Sequence, residues 1–147
     1  MTLVRDNATT KFRPPELLIF VAIIGVLVAI SIPIFTSQLE KSREATDVAN
    51  MRAAKAEASA SYLSADLDTT VWTVAEKKAT AYYDAAKGVM VKTAPTNKYG
   101  KGTKADGKTS YDGYNVAGDY TNSVIKAEVD TETGAITISW DPAPTTT

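Results

Sequence analysis

The chain contains no cysteine and no histidine. The first absence removes disulfide frameworks, thiol nucleophiles and thiolate metal sites. The second removes the side chain most used in general acid–base catalysis and in zinc or iron ligation. Together they rule out a Ser/His/Asp or Cys/His arrangement and lower every enzymatic reading. An excess of charge of one sign is lacking too. The 16 basic and 17 acidic residues are interspersed and give a formal net charge of −1. No basic stripe marks a nucleic-acid footprint, so no specific nucleic-acid binding is expected. With 147 residues, the chain has room for one small soluble domain beside its apolar segment.

What the chain does have is a long apolar run near its start. From Leu17 to Ile30 nothing is more polar than Gly25, and Ile32, Ile34 and Phe35 carry the run past Ser31 and Pro33. A bilayer core takes about 17–25 such residues as a helix, and a chain this small has little protein with which to cover them. The run therefore predicts a membrane-inserted helix. Glu16 stands at its front edge, where a carboxylate is costly and so a candidate functional residue. Pro14-Pro15 fit a first helical turn, and Glu16 there complements the helix dipole. Pro33 removes a hydrogen bond and crowds the carbonyl of Ala29, which predicts a kink or a loosened turn. Arg5, Lys11 and Arg13 precede the run, while Lys41 and Arg43 follow it. That bias favours a cytoplasmic N-terminus and an exported remainder. Asn7-Ala8-Thr9 matches a glycosylation acceptor, read here as chance on the cytoplasmic side.

The helical pattern continues beyond the run, because Thr36 to Ala65 holds neither glycine nor proline. Leu39, Val48, Ala49, Ala53, Ala56, Ala60 and Leu63 recur at helical spacing and predict the apolar face. Glu40, Arg43, Asp47, Lys55 and Glu57 are assigned to the other side, with Arg43 and Asp47 as an i,i+4 pair. One continuous helix of about 50 residues would be roughly 75 Å long. Asp66 to Thr70 reads as a break. Val71 to Lys87 predicts a second helix with Gly88 as its stop. Val89-Met90-Val91 reads as a short strand, Thr93 to Asp112 as loop, and Tyr114 to Tyr120 as containing an edge strand. Ile125, Ala127 and Val129, then Ile136, Ile138 and Trp140, alternate around DTETG, which predicts a hairpin. The tail PAPTTT reads as frayed. The expected class is α+β, a long N-terminal helix packed against a small antiparallel sheet.

Two patterns look like chemistry. Gly102 to Thr109 matches the P-loop letters G-x-x-x-x-G-K-T. A phosphate cradle needs a buried strand before it and a helix N-terminus after it, and neither flank supplies one, so the match reads as a decoy. Asp106, Asp112 and Asp119 offer oxygens for Ca²⁺ but lack EF-hand spacing, and turn-forming aspartate is the commoner explanation. Trp72, Tyr82, Tyr83, Tyr111, Tyr114, Tyr120 and Trp140 read as core and interface residues. No metal or cofactor is expected.

FRPPELLIFVAIIGVLVAISIPIF resembles the N-terminal segment of type IV pilins and of the related pseudopilins of type II secretion. Phe12, Glu16, Gly25 and Pro33 stand at the family's spacings. Lys11 stands where the family has glycine, and Arg13-Pro14-Pro15 replace a small polar residue followed by apolar ones. The resemblance implies a short leader (residues 1–11), a membrane and filament-core helix (12–35) and a globular head (36–147). It implies cleavage between Lys11 and Phe12 by a prepilin peptidase, N-methylation of Phe12, and extraction from the cytoplasmic membrane by an ATPase-driven assembly platform. In the resulting extracellular homopolymer, Glu16 would pair with the Phe12 ammonium of a neighbouring subunit, and Gly25 and Pro33 would mark where the helix loosens. The expectation is thus a structural pilus subunit and not an enzyme. The alternatives are a pseudopilin of a type II secretion-like system, or a secreted binding domain behind an ordinary signal peptide. The stretch Ser31-Ile32-Pro33 offers no A-x-A-like cleavage site for the last of these.

Overall fold

The computed structural model describes residues 13–104, 111 and 113–146. It has one helix, α1 (Pro14–Leu63), followed by strands β1 (Thr73–Ala75), β2 (Lys78–Asp84), β3 (Val89–Val91), β4 (Val124–Asp130) and β5 (Ile136–Asp141). The chain divides into two compact units, Met1–Thr36 and Ser37–Thr147. The layout is α+β, a long N-terminal helix packed against a small antiparallel sheet, as the sequence predicts.

In the first unit, α1 begins as the Glu16 amide donates to the Arg13 carbonyl at 2.9 Å. Proline at the first two positions costs nothing there, since those N–H groups have no intrahelical acceptor. The helix runs unbroken through Pro33. Just around that missing donor, the Ser31 hydroxyl donates to the Leu27 carbonyl at 2.7 Å and the Thr36 hydroxyl to the Pro33 carbonyl at 3.1 Å.

In the second unit, α1 ends in a left-handed cap. Ala65 has φ 55, its amide donates to the Tyr62 carbonyl at 3.1 Å, and the Asp66 amide donates to the Ser61 carbonyl at 3.0 Å. This is the Schellman pattern with alanine in the place usually held by glycine. The sheet order is β1-β2-β4-β5, with β3 pairing β2 beyond β1. Register sets Ala81 opposite Ala127 and Ala79 opposite Val129, then Ile125 opposite Trp140. One sheet face therefore presents Ala79, Ala81, Tyr83, Ile125, Ala127, Val129 and Trp140, all buried, to one cluster with Val48, Met51, Ala54 and Ala58 of α1. The Trp140 indole N–H donates to the Met51 sulfur at 3.3 Å. Each large side chain buried in this cluster contributes about 1.5–3 kcal/mol.

The sequence reading needs four corrections. Val71 to Lys87 is not a helix; it contains β1 and β2, joined at the two-residue turn Glu76-Lys77. Alanine and lysine carried the helical propensity, whereas alternate burial of Ala79, Ala81 and Tyr83 against the sheet partner β4 decided the outcome. Gly88 does stop an element, with φ 70, but as the end of the β2–β3 turn. The β2–β3 and β4–β5 turns share one device. Asp84 and Asp130 each accept from the amides two and three residues on, and Gly88 and Gly134 return an amide to those aspartates' carbonyls at 2.8 Å. Tyr114 to Tyr120 holds only the isolated bridges Tyr111–Tyr114 and Asp119–Thr145. The tail is held, not frayed, up to Thr145, whose carbonyl accepts from the Asp119 amide at 3.3 Å.

The fourth correction concerns the face of α1. Its buried residues are Glu40, Glu44, Asp47, Val48, Met51, Ala54 and Ala58. Leu39 and Leu63 are 41% and 82% exposed, and Ala49, Ala56 and Ala60 are exposed as well. Three acids assigned to solvent or left unassigned are in fact the inner stripe.

Candidate functional site

The first candidate lies wholly in the first unit. Leu17, Leu18, Ile19, Phe20 and the large apolar residues that follow, as far as Phe35, are all exposed. The best 18-residue window has a mean hydropathy of 3.0 and none of it is buried, so the helix is long and apolar enough to cross a membrane. Glu16 sits in its first turn as the one acid there, exposed. Gly25 adds no side chain, and nothing lies within 4 Å of where a Cβ would stand. Pro33 lies inside the helix. Lys11 and Phe12, the residues of the expected cleavage, methylation and pairing, lie outside the described residues.

The second candidate lies in the head, where sequence reasoning saw only a solvated helix face. Glu40, Glu44 and Asp47 are each at most 1% exposed. The segment Lys101–Thr103 lies over Glu40 and Asp47. Asp47 accepts from the Lys101 amide at 2.9 and 3.0 Å through its two oxygens, and from the Gly102 amide at 2.7 Å. The Tyr114 hydroxyl donates to the same carboxylate at 3.2 Å. Glu40 accepts from the Thr103 amide and, at 2.8 Å, from the Thr103 hydroxyl. Three successive backbone N–H groups thus point at carboxylates of one helix, a fixed anion site filled from within the chain. Arg43, expected to pair with Asp47, instead meets Glu40 at 3.4 Å.

Glycine at 102 is dictated by this approach. A Cβ there would collide with the Tyr114 hydroxyl and stand 3.2 Å from Asp47 Oδ2. The amides that a P-loop would aim at phosphate are, at Gly102, already bonded to Asp47. Residues 105–109, the remainder of that motif, lie outside the described residues, as do Asp106 and Asp112. Asp119 accepts from the Thr121 amide and hydroxyl at 3.0 and 2.7 Å, a turn-forming role.

Electrostatics follow from burial. Desolvation pushes the Asp47 carboxyl above its ordinary 3.8, against the lowering effect of the Gly102 and Lys101 amides, the Tyr114 hydroxyl and the Lys101 charge. Burial, then the negative charges of Asp47 and Glu44, hold the Tyr114 phenol well above its ordinary 10. Tyr114 therefore stays a donor at any physiological pH. Behind it, Tyr114 stacks on Tyr120 with centroids 4.4 Å apart, and Tyr120 meets Trp140 edge-on at 5.0 Å. Burial also raises Tyr99, whose hydroxyl donates to the Tyr83 carbonyl at 2.7 Å and accepts from the Ile125 amide at 2.8 Å. That phenol ties β2 to β4 past the end of their pairing.

Every Asp47 bond named above ends on a backbone amide or a phenol, an arrangement that anchors the Lys101–Gly102 segment and Tyr114 to the helix. A signal for it existed in the sequence. Positions 40, 44, 47, 51, 54 and 58 repeat at four and three, the spacing of a buried stripe, but three acids at its head score as solvent-facing. Of the aromatics, Trp72, Tyr83, Tyr114, Tyr120 and Trp140 are core. Tyr82 donates to Asp141 at 2.9 Å, and Arg52 lies 4.9 Å above the Tyr111 ring. No family model matches the chain, and no curated protein or solved structure matches it either.

Proposed function

We propose that the chain is a structural subunit of a type IV pilus-like filament, held in the cytoplasmic membrane by the apolar part of α1 and then assembled through it. The observation that carries this reading is the exposed apolar helix from Leu17 to Phe35, headed by the single acid Glu16. Such a surface needs lipid or other apolar helices around it, since water would charge about 25 cal/mol for each Å² left exposed. The resemblance of Phe12, Glu16, Gly25 and Pro33 to the pilin pattern supports identical subunits as the second environment. In a filament core Glu16 would be tolerated only when paired, and a paired buried charge fixes axial register. The neighbouring subunit's N-terminal ammonium at Phe12 is the partner this reading assigns.

Glu16→Ala tests the pairing. Membrane insertion is expected to persist, while surface filaments seen by electron microscopy fall at least tenfold. Normal filament yield would remove the pairing role. The mature N-terminus, read by mass, separates the alternatives: Phe12 supports the pilin route, whereas a residue beyond Ile30 identifies a cleaved signal peptide.

A further inference from the structure

Beside the acidic cluster, on the solvent side of the same segment, lies a groove of about 410 Å³. Ser42, Arg43 and Thr46 of α1 line it on one side, with Lys101, Thr103 and Thr121 on the other. No carboxylate is among the residues that line it. Lys101 is exposed and its ammonium makes no ion pair among the described residues. Arg43 gives one nitrogen to Glu40 at 3.4 Å, and a guanidinium carries five N–H donors in a planar fork. Three acids beside the groove are already bonded, Glu40 to Arg43 as well as to Thr103, both of which line it. Glu40 accepts from Thr103, Asp47 from the Lys101 and Gly102 amides, and Asp119 from Thr121. The hydroxyl protons of Thr46, Thr103 and Thr121 are also committed, to Ser42, Glu40 and Asp119. Two cationic residues thus line the groove, and the Arg43 fork keeps donors beyond its Glu40 contact, the combination that takes a phosphate oxygen pair.

Chain position selects the source of that phosphate. Leu39, which also lines the groove, follows the last residue of the apolar run by four positions. Headgroups begin where the hydrocarbon ends, so in a membrane-held subunit these residues belong at headgroup level. We propose that the groove is a phosphate site, filled by the headgroup phosphate of an anionic phospholipid while the subunit waits in the membrane, with Arg43 and Lys101 as its ligands. This rests on the membrane reading given above. It gives the head a lipid contact that must be surrendered on extraction.

The test uses the full chain in detergent micelles and native mass spectrometry, with phosphatidylglycerol, phosphatidylcholine and inorganic phosphate as separate probes. Phosphatidylglycerol is expected to be retained about tenfold more than phosphatidylcholine. The exposed-side-chain double variant Arg43→Gln/Lys101→Gln should lose about fivefold or more of that preference, as removal of headgroup-facing cations implies. Unchanged fluorescence of the buried Trp72 and Trp140 would show that this variant is folded. Retention of inorganic phosphate, lost in the same variant, would support the site and name free phosphate as a sufficient ligand. Equal retention of phosphatidylglycerol by both proteins would overturn it. Membrane insertion is scored separately by flotation with vesicles: a chain that floats but shows no variant effect sinks the site alone, and a chain that never floats sinks the membrane reading.

Discussion

Replacing Asp47 with alanine probes the one cluster that the sequence conceals. The carboxylate takes the Lys101 and Gly102 amides and the Tyr114 hydroxyl. Without it, the Lys101 amide sits on an exposed residue and can turn to water, but the Gly102 and Tyr114 donors are buried. Each such orphan costs about 1–3 kcal/mol. Part of that is offset because the carboxylate's own desolvation disappears, so the net loss should be about 2–4 kcal/mol. For a domain of this size that is roughly 8–16 °C in Tm. Thermal unfolding of the full chain in micelles, followed by the two buried tryptophans, measures it. Titration gives a second signature. The folded pKa of Asp47 lies above 3.8, so its native state keeps the proton to higher pH than the unfolded chain. Its stabilising contribution is therefore greatest below 3.8 and declines as pH rises through the folded value. The deficit of the alanine variant should accordingly be smaller at neutral pH than in acid. A Tm loss under about 2 °C at both pH values, or a deficit that grows with pH, would refute the reasoning.

Three further outcomes are expected. Ala54→Glu, on the inner stripe, should unfold or severely destabilise the head, whereas Ala56→Glu two residues on should change stability by less than about 0.5 kcal/mol in the same melt; similar effects at both sites would mean the helix face is wrongly assigned. Ala65→Gly should raise stability by up to about 1 kcal/mol, since alanine at φ 55 bears the left-handed penalty that glycine escapes, and a lower Tm would contradict the cap. Asp130 is held below 3.8 by the Thr133 and Glu132 amides, so its contribution is present above that value and lost as pH falls through the folded one. Asp130→Asn, which keeps an acceptor without a titration, should flatten the acid limb of the stability curve; an unchanged limb would deny the turn its electrostatic part.

How much was legible depended on how far each signal was local. The apolar helix was legible, because nineteen residues from Leu17 to Phe35 with one glycine and one proline need no tertiary context to be read as long and apolar enough to span a bilayer. The β4–β5 hairpin was equally plain, since strict alternation and a glycine-containing loop are both written in consecutive residues, and the structure pairs the two runs with Gly134 at φ 74. The α+β class followed from those two. The segment Val71 to Lys87 was not legible, because Ala79 and Ala81 favour a helix by themselves and become strand only through pairing with Val129 and Ala127.

The face of α1 in the head was decided by tertiary structure alone. Helical periodicity fixes which residues share a stripe, but it does not say which stripe is buried when two compete. Leu39 and Leu63 lost to a stripe headed by Glu40 and Asp47 because the segment Lys101–Thr103, more than fifty residues later in the chain, brings amides that these two carboxylates accept. A carboxylate is costly inside a protein until donors converge on it, and that convergence exists only after folding.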